Sequence, residues 1–271
     1  MVAAAQKGYI PVGIDIKQRA CENSLAVLQD MGIKGYVILA DLQEIPFQDN
    51  LFEQVWSFSV IQHTHRSRAL NCLKEIYRIL QPQKSCKLEF PLKTGFWNKW
   101  VISKRINKKE EDDFDSWSVR YYELKELEDW FEDIFGNFSF ENHCYFGIGI
   151  LPIDLKYVSW YYKVVVAASL VLNGISKIFY PLKYISDSIY IEATKQEQLT
   201  FQPVLLNQWK QNILETEWNN LSIVPLLKCP VSGSKLVYES DQNRIIATES
   251  GLYYSVKNNI PILLSSEVKN I

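Results

Sequence analysis

Charge imbalance, paired cysteines and long apolar runs are all missing from this 271-residue sequence. Lys and Arg total 29 against 31 Asp and Glu, a formal net charge of -2. That balance removes a chain-wide electrostatic footprint, so a nucleic-acid partner is not expected. The five cysteines, at positions 21, 72, 86, 144 and 229, are odd in number and unpaired in spacing. They argue against a disulfide framework and for separate, mostly buried thiols in a reducing, cytoplasmic compartment. His143 stands beside Cys144, but no second metal-spaced pair accompanies them, and no metal site is expected. Residues 1–8 lack the charged and apolar regions of a secretory leader. The most apolar stretch, residues 157–172, is interrupted by Lys163 and falls short of the ~20 residues a spanning helix needs. A buried or groove-lining helix is the favoured reading there. A helix resting on a membrane surface, and so a peripheral membrane contact, is the other.

What is present is globular in character. Hydrophobic residues make up 47% of the chain and aromatic ones 13%, enough to bury a core and to line a groove. The length suits one domain with additions, or two. Residues 9–14 predict a buried strand ending at Asp15. A helical pattern follows, with Ala20, Leu25, Val27, Leu28 and Met31 on one side, and stops at Gly32. Residues 36–40 form a second apolar strand, again ending in an acid, Asp41. Residues 54–58 give a third strand, and residues 70–80 an amphipathic helix with Leu70, Leu73, Ile76, Tyr77 and Leu80 inward. Residues 81–84 break that helix, and residues 86–90 begin a fourth strand. Strands alternating with helices at this spacing predict an open α/β sheet with parallel strands. Farther on, residues 123–131 read as a helix and residues 138–150 as a strand bent at Gly147 and Gly149. Residues 189–193 alternate like a terminal strand. Residues 108–113 are a solvated charge run, 195–202 a linker, 205–218 a bridging helix and 226–271 a small β-rich tail. The expected domains are therefore 1–195, 196–220 and 221–271.

Ligands bind outside the carboxyl ends of parallel strands, which singles out the acids found there. A carboxylate at Asp15 can take both hydroxyls of a ribose, and Asp41 can accept a hydrogen bond from an adenine amino group. Either acid alone is more often a cap for the turn that follows; together they favour a nucleoside-containing cofactor. His63, just past the third strand, can take a proton from a hydroxyl acceptor at neutral pH, or can pack and hydrogen-bond at a pocket wall. His65 reads as a turn residue and His143 as structural. Arg120, beside Tyr121 and Tyr122, reads as a grip for an anionic substrate or as a surface ion pair.

Several motifs then stand in order over residues 9–91. They are Val12-Gly13-Ile14-Asp15-Ile16, Ala40-Asp41-Leu42-Gln43-Glu44-Ile45-Pro46-Phe47, and Asn50-Leu51-Phe52-Glu53-Gln54-Val55-Trp56-Ser57. Val60-Ile61-Gln62-His63-Thr64 and Leu73-Lys74-Glu75-Ile76-Tyr77-Arg78-Ile79-Leu80-Gln81-Pro82 continue the series. The set resembles class I S-adenosylmethionine-dependent methyltransferases. A looser similarity runs through Ser118-Val119-Arg120-Tyr121-Tyr122 and Phe146-Gly147-Ile148-Gly149-Ile150 to the strand near Tyr190. The resemblance implies a Rossmann-like, doubly wound sheet and S-adenosyl-L-methionine as cofactor. Asp15 would hold the ribose and Asp41 meet the adenine, with Ile16 and Leu42 beside them. The backbone around Phe58 and Ser59 would lie beside the methionine portion, and His63 is the candidate acid/base residue. The family's first strand and glycine-rich loop would precede residue 1, so the expected sheet lacks them. Phe52-Glu53 and Pro82-Gln83-Lys84 also replace the family's usual Phe-Asp and Pro-Gly-Gly. Methyl transfer to a small-molecule, glycan-linked or lipid-linked acceptor is the leading expectation, impaired if that loop is missing. The alternative is a non-catalytic binding or scaffold protein that retains the fold.

In the tail, Leu226-Leu227-Lys228-Cys229-Pro230-Val231-Ser232-Gly233-Ser234-Lys235-Leu236 and Leu252-Tyr253-Tyr254-Ser255-Val256-Lys257-Asn258-Asn259-Ile260-Pro261-Ile262-Leu263-Leu264 carry a second resemblance. They are similar to the small zinc-ribbon family that activates tRNA and release-factor methyltransferases. Members with metal have Cys-x-x-Cys where this chain has Cys229 and Ser232. The resemblance therefore implies a metal-free module that packs against the methyltransferase-like segment.

Overall fold

A computed structural model describes residues 1–105, 119–147, 152–196, 204–215 and 218–271. The helices are α1 (Val2–Gln6), α2 (Gln18–Asp30), α3 (Arg66–Ile79), α4 (Phe96–Arg105), α5 (Leu124–Ile134), α6 (Trp160–Ser176) and α7 (Val204–Glu215). The strands are β1 (Val12–Asp15), β2 (Tyr36–Leu39), β3 (Phe52–Ser57), β4 (Leu80–Pro91), β5 (Phe138–Cys144) and β6 (Ser188–Thr194). The tail adds β7 (Leu236–Glu239), β8 (Arg244–Ala247), β9 (Leu252–Lys257), β10 (Ile260–Pro261) and β11 (Lys269–Asn270). By their internal contacts, residues 1–51 and 199–271 make one compact unit and residues 52–198 another.

In the first unit β1 and β2 run parallel, paired from Val12↔Tyr36 to Asp15↔Leu39. All four residues of β2 are buried. Helix α2 covers the pair with Cys21, Leu25 and Leu28, a spacing of four and three that keeps one face inward. Val27 and Met31, expected on that face, are exposed. Val27 lies two residues past Leu25, about 200° around the helix, and cannot share its side. Gly32, with φ +63°, ends the helix in the left-handed conformation. The far edge of β2 is sealed by the tail. Asn220, fully buried, accepts the Val37 N–H at 2.8 Å and donates to the Val37 carbonyl at 2.9 Å. Ile260 joins the core of Cys21, Leu25, Leu28, Val37 and Leu39, with Trp218 and Ile262 packed against it. The tail strands form an antiparallel sheet in the order β10-β9-β8-β7, with β11 also pairing β9.

In the second unit the order is β3-β4-β6-β5, with β3 parallel to β4 and β6 antiparallel to both neighbours. The α/β class with parallel strands is the one expected. The helix ends at Ile79, before residues 81–84 as expected, but those residues already belong to β4, whose register shifts between Phe52 and Gln54 of β3. Gln83 adopts φ +61° there, and its N–H donates to the Lys195 carbonyl at 3.0 Å. The Lys195 ammonium donates to the carbonyls of Tyr77 and Leu80, satisfying acceptors that the end of α3 leaves open. Helix α3 turns Ala69, Cys72, Leu73, Ile76 and Ile79 inward; Leu70 and Tyr77 are only half-buried. Phe90 meets Tyr122 and Phe131 edge-on, with ring centres 5.4 and 5.9 Å apart.

Helix α6 reverses the favoured sequence reading. Val166, Ser169 and Ser176 face inward, while Val164, Leu170, Val171 and Ile175 face solvent. The inward side is fixed by hydrogen bonds: the Tyr145 N–H donates to Ser169 Oγ at 2.9 Å, and Asn173 Nδ2 donates to the His143 carbonyl at 2.9 Å. The motif residues Ser118, Ile148, Gly149 and Ile150, the charge run at 108–113 and most of the expected linker lie outside the described residues.

Candidate functional site

The carboxyl ends of β1 and β2 lie next to each other because the two strands are parallel and in register. Asp15 closes β1, and Asp41 follows β2 by two residues. The exposed Asp15 side chain accepts the Lys17 N–H through Oδ1 at 2.7 Å, while Oδ2 accepts no bond among the described residues. Asp41 is half-buried and more occupied: Oδ1 accepts the Gln43 N–H at 2.9 Å, and the Gln43 side-chain amide donates to both oxygens. Both acids thus cap the turn after their own strand. Ile16 is exposed beside Asp15, and Leu42 is half-buried beside Asp41. A carboxylate oxygen open to solvent at such an edge suits a vicinal diol, which offers two donors. A groove of about 260 Å³ in the same unit, lined by Met1, Val2, Asn23, Ser24, Val27 and Leu28, includes neither acid.

The other candidates belong to the 52–198 unit, at the end of β3. Phe58 is exposed and meets His143 edge-on, with ring centres 5.4 Å apart. Ser59 sits in the left-handed region at φ +56°, which turns its N–H toward Glu89 Oε2 at 3.0 Å. Gln62 Nε2 donates to Ser59 Oγ at 3.0 Å. His63 ends a short 3-10 turn, its N–H bonded to the Val60 carbonyl at 2.9 Å. The His63 carbonyl accepts from Arg120 Nη1 at 3.2 Å. Arg120 is buried, and its N–H donates to the Gln62 carbonyl at 2.9 Å. It therefore braces the His63 turn from within, which corrects the expectation of a surface ion pair. His65 caps α3 through Nδ1, which accepts the Ser67 N–H.

Sequence reasoning missed Glu89. Burial pushes its carboxyl above the usual range, and hydrogen bonds from Ser188 and Ser59 offset part of that rise. Across the same patch His143 Nδ1 pairs with Ser188 Oγ at 2.8 Å, and Cys144 Sγ lies 3.2 Å from that hydroxyl. Burial, followed by the Lys87 charge, pushes the His143 imidazole down to about 4, so it is neutral at physiological pH. In residues 86–90 Glu89 alternates with Cys86, Leu88 and Phe90 as Lys87 does, so the sequence alone reads it as an outward strand position.

In the tail, Gly233 takes φ +72° and the Ser232 N–H points at Cys229 Sγ at 3.3 Å. Cys229 also lies 3.1 Å from the Tyr254 hydroxyl. All five cysteines are free and buried. Among the described residues no group of three or more His, Cys, Asp or Glu is arranged to hold a metal ion.

Comparison with known proteins assigns the two ends of the chain separately. Residues 1–86 match the family described as a methyltransferase domain. Over 49 residues, 18% of this chain, the tail is 37% identical to a UPF0434 protein of Anaplasma phagocytophilum, covering 69% of that protein. A UPF0434 protein of Pseudomonas aeruginosa is 31% identical over 49 residues, with 80% of its length covered. Among solved structures, a SAM-dependent methyltransferase of Methanosarcina mazei overlays with 17% identity and a TM-score of 0.49, covering 73% of this chain and 87% of that one. Through its C-terminal module the chain belongs to the UPF0434 protein family, and that module is joined to an N-terminal segment matching a methyltransferase domain.

Proposed function

We propose that this protein binds S-adenosyl-L-methionine and transfers its methyl group to a small-molecule, glycan-linked or lipid-linked acceptor. One observation carries the reading: within the segment matching a methyltransferase domain, two carboxylates stand at the ends of adjacent parallel strands. The open Oδ2 of Asp15 suits the ribose hydroxyls of the cofactor. Asp41 would meet the adenine once Gln43 yields one of its bonds, with Ile16 and Leu42 flanking the two acids. When bound, the cofactor supplies a methyl group activated on a sulfonium. The chain's own contribution is to hold and align the reactants, a task to which proximity alone gives large rate factors. By the family resemblance the backbone around Phe58 and Ser59 would serve the methionine portion; His63 is proposed from its place just past β3 to take the proton from a hydroxyl acceptor.

Isothermal calorimetry with S-adenosyl-L-methionine tests the proposal. Binding in the micromolar-to-millimolar range, weakened by Asp15→Ala, supports it. The absence of binding over that range favours a scaffold protein that uses both carboxylates only to cap its own turns, as Lys17 and Gln43 show them doing.

A further inference from the structure

More than half of the exposed large apolar side chains among the described residues fall in two segments of the 52–198 unit, residues 96–100 and 157–185. Helix α6 is the centre of this surface. Trp160, Val164, Val171 and Ile175 lie within about 60° of one another around a helix of 3.6 residues per turn, and all four face solvent. Trp160 is 76% exposed and Val171 62%. Past the helix the stripe continues through Ile178, at 92%, and Phe179. Helices on the surface of a soluble domain turn their apolar side to the core. This one turns Ser169, Ser176 and Asn173 inward with a single valine, Val166, and leaves Val164, Leu170, Val171 and Ile175 outward; its inward hydrogen bonds fix that orientation.

Charge identifies the occupant. Between Asp154 and Asp187 the sequence has no acidic residue, but it has Lys156, Lys163, Lys177 and Lys183. Between Glu89 and Glu110 it again has none, and Lys99 lies between Trp97 and Trp100, while Lys93 is paired with Glu123. In a chain of net charge -2, the apolar surface thus carries a local excess of positive charge. A second copy meeting this face with its own would set lysines against lysines. Aromatic rings at the start of the helix and lysines beside an apolar stripe instead match the interface of an anionic bilayer, where rings sit at headgroup depth and ammonium groups reach phosphates. Among the described residues no helix is long and apolar enough to cross a membrane, so the contact is with the surface.

We propose that α6 and its flanking segments dock on an anionic phospholipid surface, the helix lying in the plane of the interface. A groove of about 540 Å³ lined by Thr94, Phe96, Trp97, Lys99, Trp100 and Ile185 shares Ile185 with the segment after α6 and offers a lipid chain an aromatic recess. The inference is independent of methyl transfer.

Co-sedimentation of the full chain with vesicles tests it, using phosphatidylcholine alone and equal parts phosphatidylcholine and phosphatidylglycerol. The expected result is at least about tenfold stronger partitioning onto the anionic vesicles, weakened by added salt. The double variant Val171→Asp/Ile175→Asp, at positions facing solvent, lowers that partitioning at least about tenfold while thermal unfolding stays near wild type. Lys163→Gln/Lys177→Gln removes much of the preference for the anionic lipid. Equal or absent sedimentation with both vesicles overturns the proposal, as does wild-type binding by the Asp double variant. A concentration-dependent dimer abolished by that variant, read by analytical ultracentrifugation, would also overturn it and give the face to a second copy.

Discussion

Asn98 holds Asp187 at two points: its backbone N–H donates to Asp187 Oδ1 at 2.9 Å, and its side-chain amide donates to the Asp187 carbonyl at 2.7 Å. The Trp97 N–H reaches the same Oδ1 at 2.8 Å, and the Gly147 N–H reaches Oδ2 at 3.0 Å. One buried carboxylate thus satisfies the start of α4 and pins the turn after β5. Asp187→Ala leaves these donors without acceptors and is expected to cost about 2–4 kcal/mol, read from the midpoint of urea unfolding. Burial raises the Asp187 carboxyl above its usual range, and the surrounding N–H groups offset part of the rise. The native state therefore binds the proton more tightly than the unfolded chain. This group's contribution is complete below the ordinary aspartate range and is lost as pH rises through the folded value.

Gly95 approaches the same aspartate so closely that a Cβ would sit 2.6 Å from Asp187 Cα and 2.9 Å from the Ser186 carbonyl. Those are backbone atoms and cannot swing aside. Gly95→Ala is expected to destabilise by about 1–3 kcal/mol in urea titrations. Gly174→Ala in α6, where nothing lies within 4 Å, is the control and is expected to gain up to about 1 kcal/mol.

His143 gives an acid-side signature. Its folded pKa of about 4 lies below the ordinary 6.5, so the unfolded chain binds more protons between those values. The stability present above pH 6.5 is lost as pH falls toward 4, by up to about 3 kcal/mol. His143→Gln is expected to flatten this slope in urea unfolding measured at pH 7 and pH 4.5.

Asn220 reaches β2 across 183 residues of sequence, and its side-chain amide also donates to the Asn259 carbonyl at 2.8 Å. Asn220→Leu keeps the volume but strips three hydrogen bonds from a buried strand edge. The expected cost is about 2–4 kcal/mol, with Asn220→Asp no better, because a carboxylate would face two carbonyls. Thermal unfolding of the two variants checks this.

Competition within the Asp41 turn supplies a test by gain. Gln43→Ala removes two side-chain bonds to the carboxylate and is expected to tighten S-adenosyl-L-methionine binding a few-fold, whereas Asp15→Ala weakens it about tenfold. Calorimetry on both variants reads the two directions against wild type.

The sequence made the strands and their terminal acids legible because an apolar run followed by a turn residue is a local signal. Orientation was less accessible. Val27 looked like a core residue of α2 until its angle from Leu25 was fixed, and α6 advertised an apolar composition without saying which side faced in. That side is decided by Tyr145 and His143, which precede the helix by more than a turn of chain. Pro82 marked the end of α3, but the start of β4 at Leu80 was not legible, because Lys195, more than a hundred residues later, takes up the groups that the bulge leaves open. Glu89 and Asn220 were silent for the same reason: their partners are distant in sequence. At the candidate site the carboxylates were visible, while the engagement of Asp41 by Gln43 required coordinates.

The tail's hold on β2 also sets an order of events during synthesis. The core that Val37 and Leu39 share with Ile260 is divided between regions more than two hundred residues apart, whereas residues 52–198 are contiguous. As the polypeptide leaves the ribosome, the contiguous unit can close first, while β1, α2 and β2 wait for partners still being translated. Until Ile260 emerges, β2, whose end leads to Asp41, keeps an open flank.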